Sequence, residues 1–165
     1  MKEFEELGKH KETQHFFEAV GDEADLVMLV LRAHLYSENL LERLIGLKLP
    51  RGDRVLENGN LSFHQKLMLV DSLDYLPDRI VSSFRNLNKL RNQCSHELNK
   101  SITMEDITRI GSPLGKVFTD IKRECKMEEL PVFGELIKYM CGYLGASCFY
   151  AEHPKGKDAE DKKDT

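Results

Sequence analysis

At 165 residues, with 41% hydrophobic and 32% charged side chains, the chain can bury one core and has no room for a second domain of ordinary size. Its net charge of −4 argues against a dedicated, sequence-specific DNA-binding surface, which needs clustered Lys and Arg to neutralise phosphates, but leaves space for a small local RNA site. The longest apolar run, Leu26 to Leu31, falls far short of the roughly 20 residues of a membrane span, and Met1-Lys-Glu-Phe-Glu-Glu6 lacks a signal-peptide core, so a cytoplasmic protein without membrane contact is expected.

In chain order the sequence reads as helices. Residues from about Lys2 to Val20 form a charged helix with Phe4, Leu7, Phe16 and Phe17 as apolar contacts, ended at Gly21-Asp22. Asp22 is then expected to cap the most apolar helix, about Glu23 to Leu47, in which Leu26, Leu29, Leu40, Leu41, Leu44 and Ile45 leave little polar surface. His34, Tyr36, Glu38 and Asn39 lie within it, and Glu38 sits between apolar turns. Leu49 to Asn60 is read as a long loop because Pro50, Gly52 and Asn58-Gly59 are turn residues; its Arg51-Gly52-Asp53 triplet is read as turn chemistry.

Ser62 caps the next helix, which carries Phe63, Leu67, Val70, Leu73 and Leu76 and stops at Pro77. Pro77-Asp78 starts the following one. Beyond it, Thr103 and the acids after it make a cap and first turn, a short helix runs to Ile110 and Gly111-Ser112-Pro113, and another runs to about Lys126. The last helix, about Pro131 to Glu152, gathers Val132, Phe133, Leu136, Ile137, Met140, Leu144, Cys148 and Phe149, with Gly142, Gly145, Ala146 and Ser147 as a smooth patch for close packing. The Lys- and Asp-rich residues 153–165 are expected to be a disordered tail. Cys94, Cys125, Cys141 and Cys148 form no Cys-x-x-Cys pair and have no His at ligand spacing, so structural thiols and no metal or other cofactor are expected. Nothing alternates with a period of two, and the fold class is therefore all-α: an antiparallel helical bundle with short extra helices, in one domain over residues 1–152.

The helix after Pro77 carries the chemistry. At roughly 100° per residue, Ile80, Phe84, Leu87, Leu90, Cys94 and Leu98 share one face, and Arg91 falls at its margin, where a guanidinium is costly to bury without an anionic or strongly accepting partner. Glu38 is the internal candidate for that partner. The polar side runs from Arg91 through Ser95, Asn88 and Asn92 to His96, so Arg91 and His96 bracket an arc of roughly 140° with two amides between them. By itself this pattern more often marks an arginine in a buried ion pair and a histidine partly exposed on a helix surface.

Arg91-Asn92-Gln-Cys-Ser-His96 resembles the signature of the HEPN superfamily: an arginine, a polar residue after it, and a histidine beyond four to six intervening positions. The run Asn60-Leu-Ser-Phe-x-x-Lys66 before it resembles one branch, which holds uncharacterised bacterial domains and the mannitol operon repressor family. The resemblance covers about residues 23–125 and implies the same helical bundle. It also implies metal-independent RNA cleavage, as in toxin or phage-defence endoribonucleases. A neutral His96 would take the ribose 2′-hydroxyl proton, Arg91 would stabilise the phosphorane, and Asn92 would orient imidazole or phosphate, with Asn88, Ser95 and Glu38 in support. Two signature helices meeting in a homodimer would complete each site, and an antitoxin would be the protein partner. The other function it implies is a non-catalytic regulatory module acting through dimerisation or partner binding; no helix-turn-helix with a basic recognition helix is present to control transcription directly.

Overall fold

The computed structural model describes residues 11–21, 23–97 and 99–154. These are about 80% helical, with eight helices and no strand among them. They are α1 (Lys11–Val20), α2 (Leu26–Lys48), α3 (Gly52–Gly59), α4 (Phe63–Ser72), α5 (Asp78–His96), α6 (Met104–Gly111), a 3-10 turn (Ser112–Leu114), α7 (Lys116–Glu124) and α8 (Glu129–Glu152). The all-α reading therefore holds. Residues 1–10 of the expected first helix, Asp22, Leu98 and the tail from Lys155 lie outside the described residues, and the cap of α2 is Asp25 rather than Asp22.

α2 is the axis of the bundle and touches α1, α3, α4, α5 and α8, most extensively α8. Its start is local chemistry: Asp25 accepts a hydrogen bond from the Met28 N–H at 2.8 Å, satisfying one of the free donors of a first turn. Its end is equally local, since Pro50 disfavours helical geometry at Leu49, which is extended. Between these points Val30, Ala33, Leu41, Leu44 and Ile45 are fully enclosed and meet Val132, Phe133, Leu136, Ile137, Met140 and Leu144 of α8 and Ile80, Phe84 and Leu87 of α5 in one continuous core.

Leu49 to Asn60 is not the expected loop. Gly52–Gly59 is helical, with the Gly52 N–H bonded to the Leu49 carbonyl at 3.0 Å and the Val55 N–H to the Arg51 carbonyl at 3.2 Å. Gly52 allows this turn because it packs so tightly on α2 that a Cβ there would stand 2.4 Å from the Ile45 carbonyl oxygen. Arg51 is thus the residue before the helix and Asp53 lies in its first turn, where its charge suits the helix dipole.

α4 begins as the sequence indicates: Ser62 Oγ accepts from the Gln65 N–H, and Gln65 Oε1 from the Ser62 N–H, a reciprocal cap. Thr103 and Asp106 repeat the device at α6. α7 stops at Glu124 rather than Lys126 because Lys126 and Met127 are left-handed, at φ 51° and 62°. α8 starts two residues before Pro131, a proline in a first turn needing no N–H partner. No helix among the described residues is long and apolar enough to cross a membrane.

Candidate functional site

α5 is held by its buried face, Ile80, Val81, Phe84, Leu87 and Leu90, against α2, α4, α6 and α8. Its last three turns carry Asn88, Arg91, Asn92, Ser95 and His96, and the helix ends at His96 because Glu97 is extended, at φ −111° and ψ 104°. Five of the six sequence-predicted site residues therefore share one helix end. Asn88 and Arg91 are half-buried, whereas Asn92, Ser95 and His96 are exposed.

Three arginines are half-buried among the described residues: Arg43, Arg85 and Arg91. Arg43 is bonded to both carboxylate oxygens of Glu152 at 2.8 Å, and Arg85 to Asp71 at 2.9 Å. Arg91 meets no carboxylate; among the described residues its guanidinium reaches only Asn92 Oδ1, at 3.4 Å. A half-desolvated cation without an acid is costly, and its planar fork remains free for an anion. Ser95 Oγ donates to the Arg91 carbonyl at 3.0 Å, and so is partly spent on its own helix.

Glu38 does not pair with Arg91. Lys66 of α4, 8% exposed, places its Nζ 2.7 Å from Glu38 Oε1 and 2.6 Å from Glu42 Oε1. The two acids stand one turn apart on α2 and face the same way, so one descending ammonium takes both. Burial opposes the charge on Lys66, and the two carboxylates outweigh it and hold its pKa above the ordinary value. The fold thus supplies a nearer cation to Glu38 than the sequence pattern indicated.

The residue that sequence reading left without a role is His34. It is 6% exposed, its Nε2 is 2.9 Å from Asn88 Oδ1, and its ring lies on that of Phe63 with centroids 4.1 Å apart. Phase would have found it: on the α2 wheel His34 falls with Val30, Ser37, Leu41 and Leu44, all buried. Burial, foremost, pulls its pKa below 6.5, and the Arg91 charge adds to this against the raising effects of the Asn88 bond and Glu38. The sign for stability follows: below pH 6.5 the unfolded chain binds a proton that the folded chain refuses. Folding stability should therefore decline as pH falls below 6.5 and level off once the folded His34 titrates. Urea unfolding at about pH 7.5 and about pH 5.5 checks this, the wild type losing more stability than His34→Phe.

Cys94, Cys125, Cys141 and Cys148 form no disulfide, and burial pushes the Cys141 thiol strongly upward. Among the described residues no group of three or more His, Cys, Asp or Glu side chains could hold a metal ion. The donors gathered at the end of α5 are amides, a guanidinium and an imidazole, which suit a phosphodiester rather than a cation. No family model, curated protein or solved structure matches this chain.

Proposed function

We propose that the protein is a HEPN-type endoribonuclease that works in the cytoplasm as a homodimer and cleaves RNA without a metal. The observation that carries this reading is Arg91, the one half-buried arginine among the described residues that no carboxylate neutralises, five residues before the exposed His96. His96 in its neutral form removes the proton of a ribose 2′-hydroxyl. The 2′-oxygen attacks the adjacent phosphorus, Arg91 stabilises the charge gathering on the non-bridging oxygens, and the 5′-oxygen leaves with a proton donated by a second, protonated histidine from the partner's helix, giving a 2′,3′-cyclic phosphate and a 5′-hydroxyl. Asn92, bonded to Arg91, orients the guanidinium; Glu38 supports the site indirectly by fixing Lys66 between α2 and α4. A partner's signature helix supplies a second Arg and His to each site, and a small antitoxin would be the protein that silences it.

The test is cleavage of single-stranded RNA by the full chain in EDTA over a dilution series. Cleavage should persist in chelator, because proton transfer and charge stabilisation both come from side chains, and activity per protomer should fall as sedimentation shows the dimer separating. Activity lost to chelator and restored by magnesium or manganese would overturn the assignment of Arg91 and His96. A non-catalytic module is the second reading, and it is favoured by Met28 and Leu35, two exposed apolar residues, 42% and 60% accessible, that recur seven positions apart on one side of α2. A dimer that neither cleaves RNA nor changes with Arg91→Ala would support it.

A further inference from the structure

His34 and Asn88 meet across the α2–α5 contact although 54 positions separate them. An amide oxygen only accepts, so the 2.9 Å bond from His34 Nε2 to Asn88 Oδ1 requires the ring to carry its proton on Nε2. The ring is clamped: it is buried, lies on Phe63, and is carried by a helix whose next turn is fixed by the Ser37 Oγ bond to the His34 carbonyl at 2.9 Å. Asn88, on the half-buried side of α5, therefore adjusts to His34 and not the reverse. With Oδ1 committed to α2, the NH2 group of Asn88 is the end that remains, and it has no hydrogen-bond partner among the described residues. Asn88, Arg91, Asn92 and Ser95 recur at three, four and seven positions, which stacks them along one side of the helix.

We propose that His34 is a positioning residue for the anion site on α5: it locks the Asn88 amide with its oxygen inward, so that the NH2 group stands beside Arg91 as a second, neutral donor to a phosphate oxygen. A reversed amide would turn its carbonyl toward the anion and repel it. The identity of the anion as RNA phosphate rests on the ribonuclease reading; the coupling of His34 to Asn88 does not.

The experiment uses the full chain and an RNA oligonucleotide whose 2′-hydroxyls are methylated, which leaves no 2′-proton to remove, so that it binds without being cut. His34→Phe keeps a ring against Phe63 and removes the donor. It should weaken binding by about tenfold, the size of one hydrogen bond to a charged group. Asn88→Ala should do the same, and the double variant should lose no more than either single one, because both act through one donor. The side-chain NH2 resonances of Asn88 should be shifted from those of a free amide in the wild type and should move toward that position in His34→Phe. His34→Gln, which retains an N–H donor, should recover binding, a rescue that a space-filling role would not give.

Additive losses in the double variant, unchanged binding in His34→Phe, or unmoved Asn88 resonances would each overturn the proposal. If His34→Phe does not fold by circular dichroism, His34→Gln against His34→Leu makes the same comparison, and equal binding by the two overturns it. A wild type that binds no oligonucleotide would sink the ribonuclease reading alone. The Asn88 resonances would then decide the coupling, their shift upholding it and their constancy ending it.

Discussion

Arg91→Ala and His96→Ala should each lower RNA cleavage by about 10²–10⁴-fold, the cost of removing a charge-stabilising donor or a positioned acid-base group, with helicity unchanged and the unfolding midpoint no lower. The separation of activity from stability follows from where the two side chains lie. His96 is exposed at the last helical residue of α5, so truncating it removes no core volume. Arg91 is half-buried but supports no ion pair among the described residues, so alanine there strands no buried carboxylate. Removing an unneutralised cation from a partly desolvated position should even leave the fold slightly more stable. Arg91→Lys keeps the charge and loses the planar fork, and should recover only part of the activity. Circular dichroism beside a cleavage assay with a 3′-end analysis separates the cases. If both alanine variants unfold, Arg91 and His96 serve the fold; if both cleave like the wild type, the site is elsewhere.

Phe84→Ala should do the opposite, costing about 3–5 kcal/mol of stability through lost burial and the cavity it leaves. Phe84 is fully buried in the middle of α5, the helix that packs on α2, α4, α6 and α8, so few neighbours can collapse into the gap without moving a whole element. For a chain of this size the melting temperature should fall by roughly 6–20 °C. Urea unfolding would measure it, and a loss under about 1 kcal/mol would mean that the α5 face is packed more loosely than described. Because Phe84 supplies no polar group to the site, folded Phe84→Ala should keep its cleavage at low temperature. Its defect should grow with the unfolded fraction, whereas the Arg91→Ala defect should not depend on temperature in that way.

Much of the fold was legible in the sequence because its signals are short-ranged. Ser62 and Gln65, or Thr103 and Asp106, cap a helix with groups three residues apart. Ile80, Phe84, Leu87 and Leu90 share a buried face because 3.6 residues per turn puts them there. The same arithmetic placed Val132, Phe133, Leu136, Ile137, Met140, Leu144 and Cys148 inside and put Asn88, Arg91, Asn92, Ser95 and His96 along one helix end. The Leu49–Asn60 reading failed because Pro50, Gly52 and Gly59 also serve short helices. What made Gly52 a helix start was its contact with the Ile45 carbonyl, and no local pattern registers that.

The sequence by itself determined the helices other than α3, their buried faces and the row of polar groups at the end of α5, since each of these depends on residues within a turn or two of one another. The tertiary structure alone decided which charges and polar groups meet across helices. Glu38 and Lys66, 28 positions apart, are joined by the descent of α4 onto α2; His34 and Asn88 are joined by the crossing of α2 and α5; and Arg91 is left without an acid because Lys66 lies nearer to Glu38. Such pairings turn on a few ångströms of helix placement, which the packing of Phe84, Leu87, Leu41 and Leu44 sets and which no periodicity within a single helix contains.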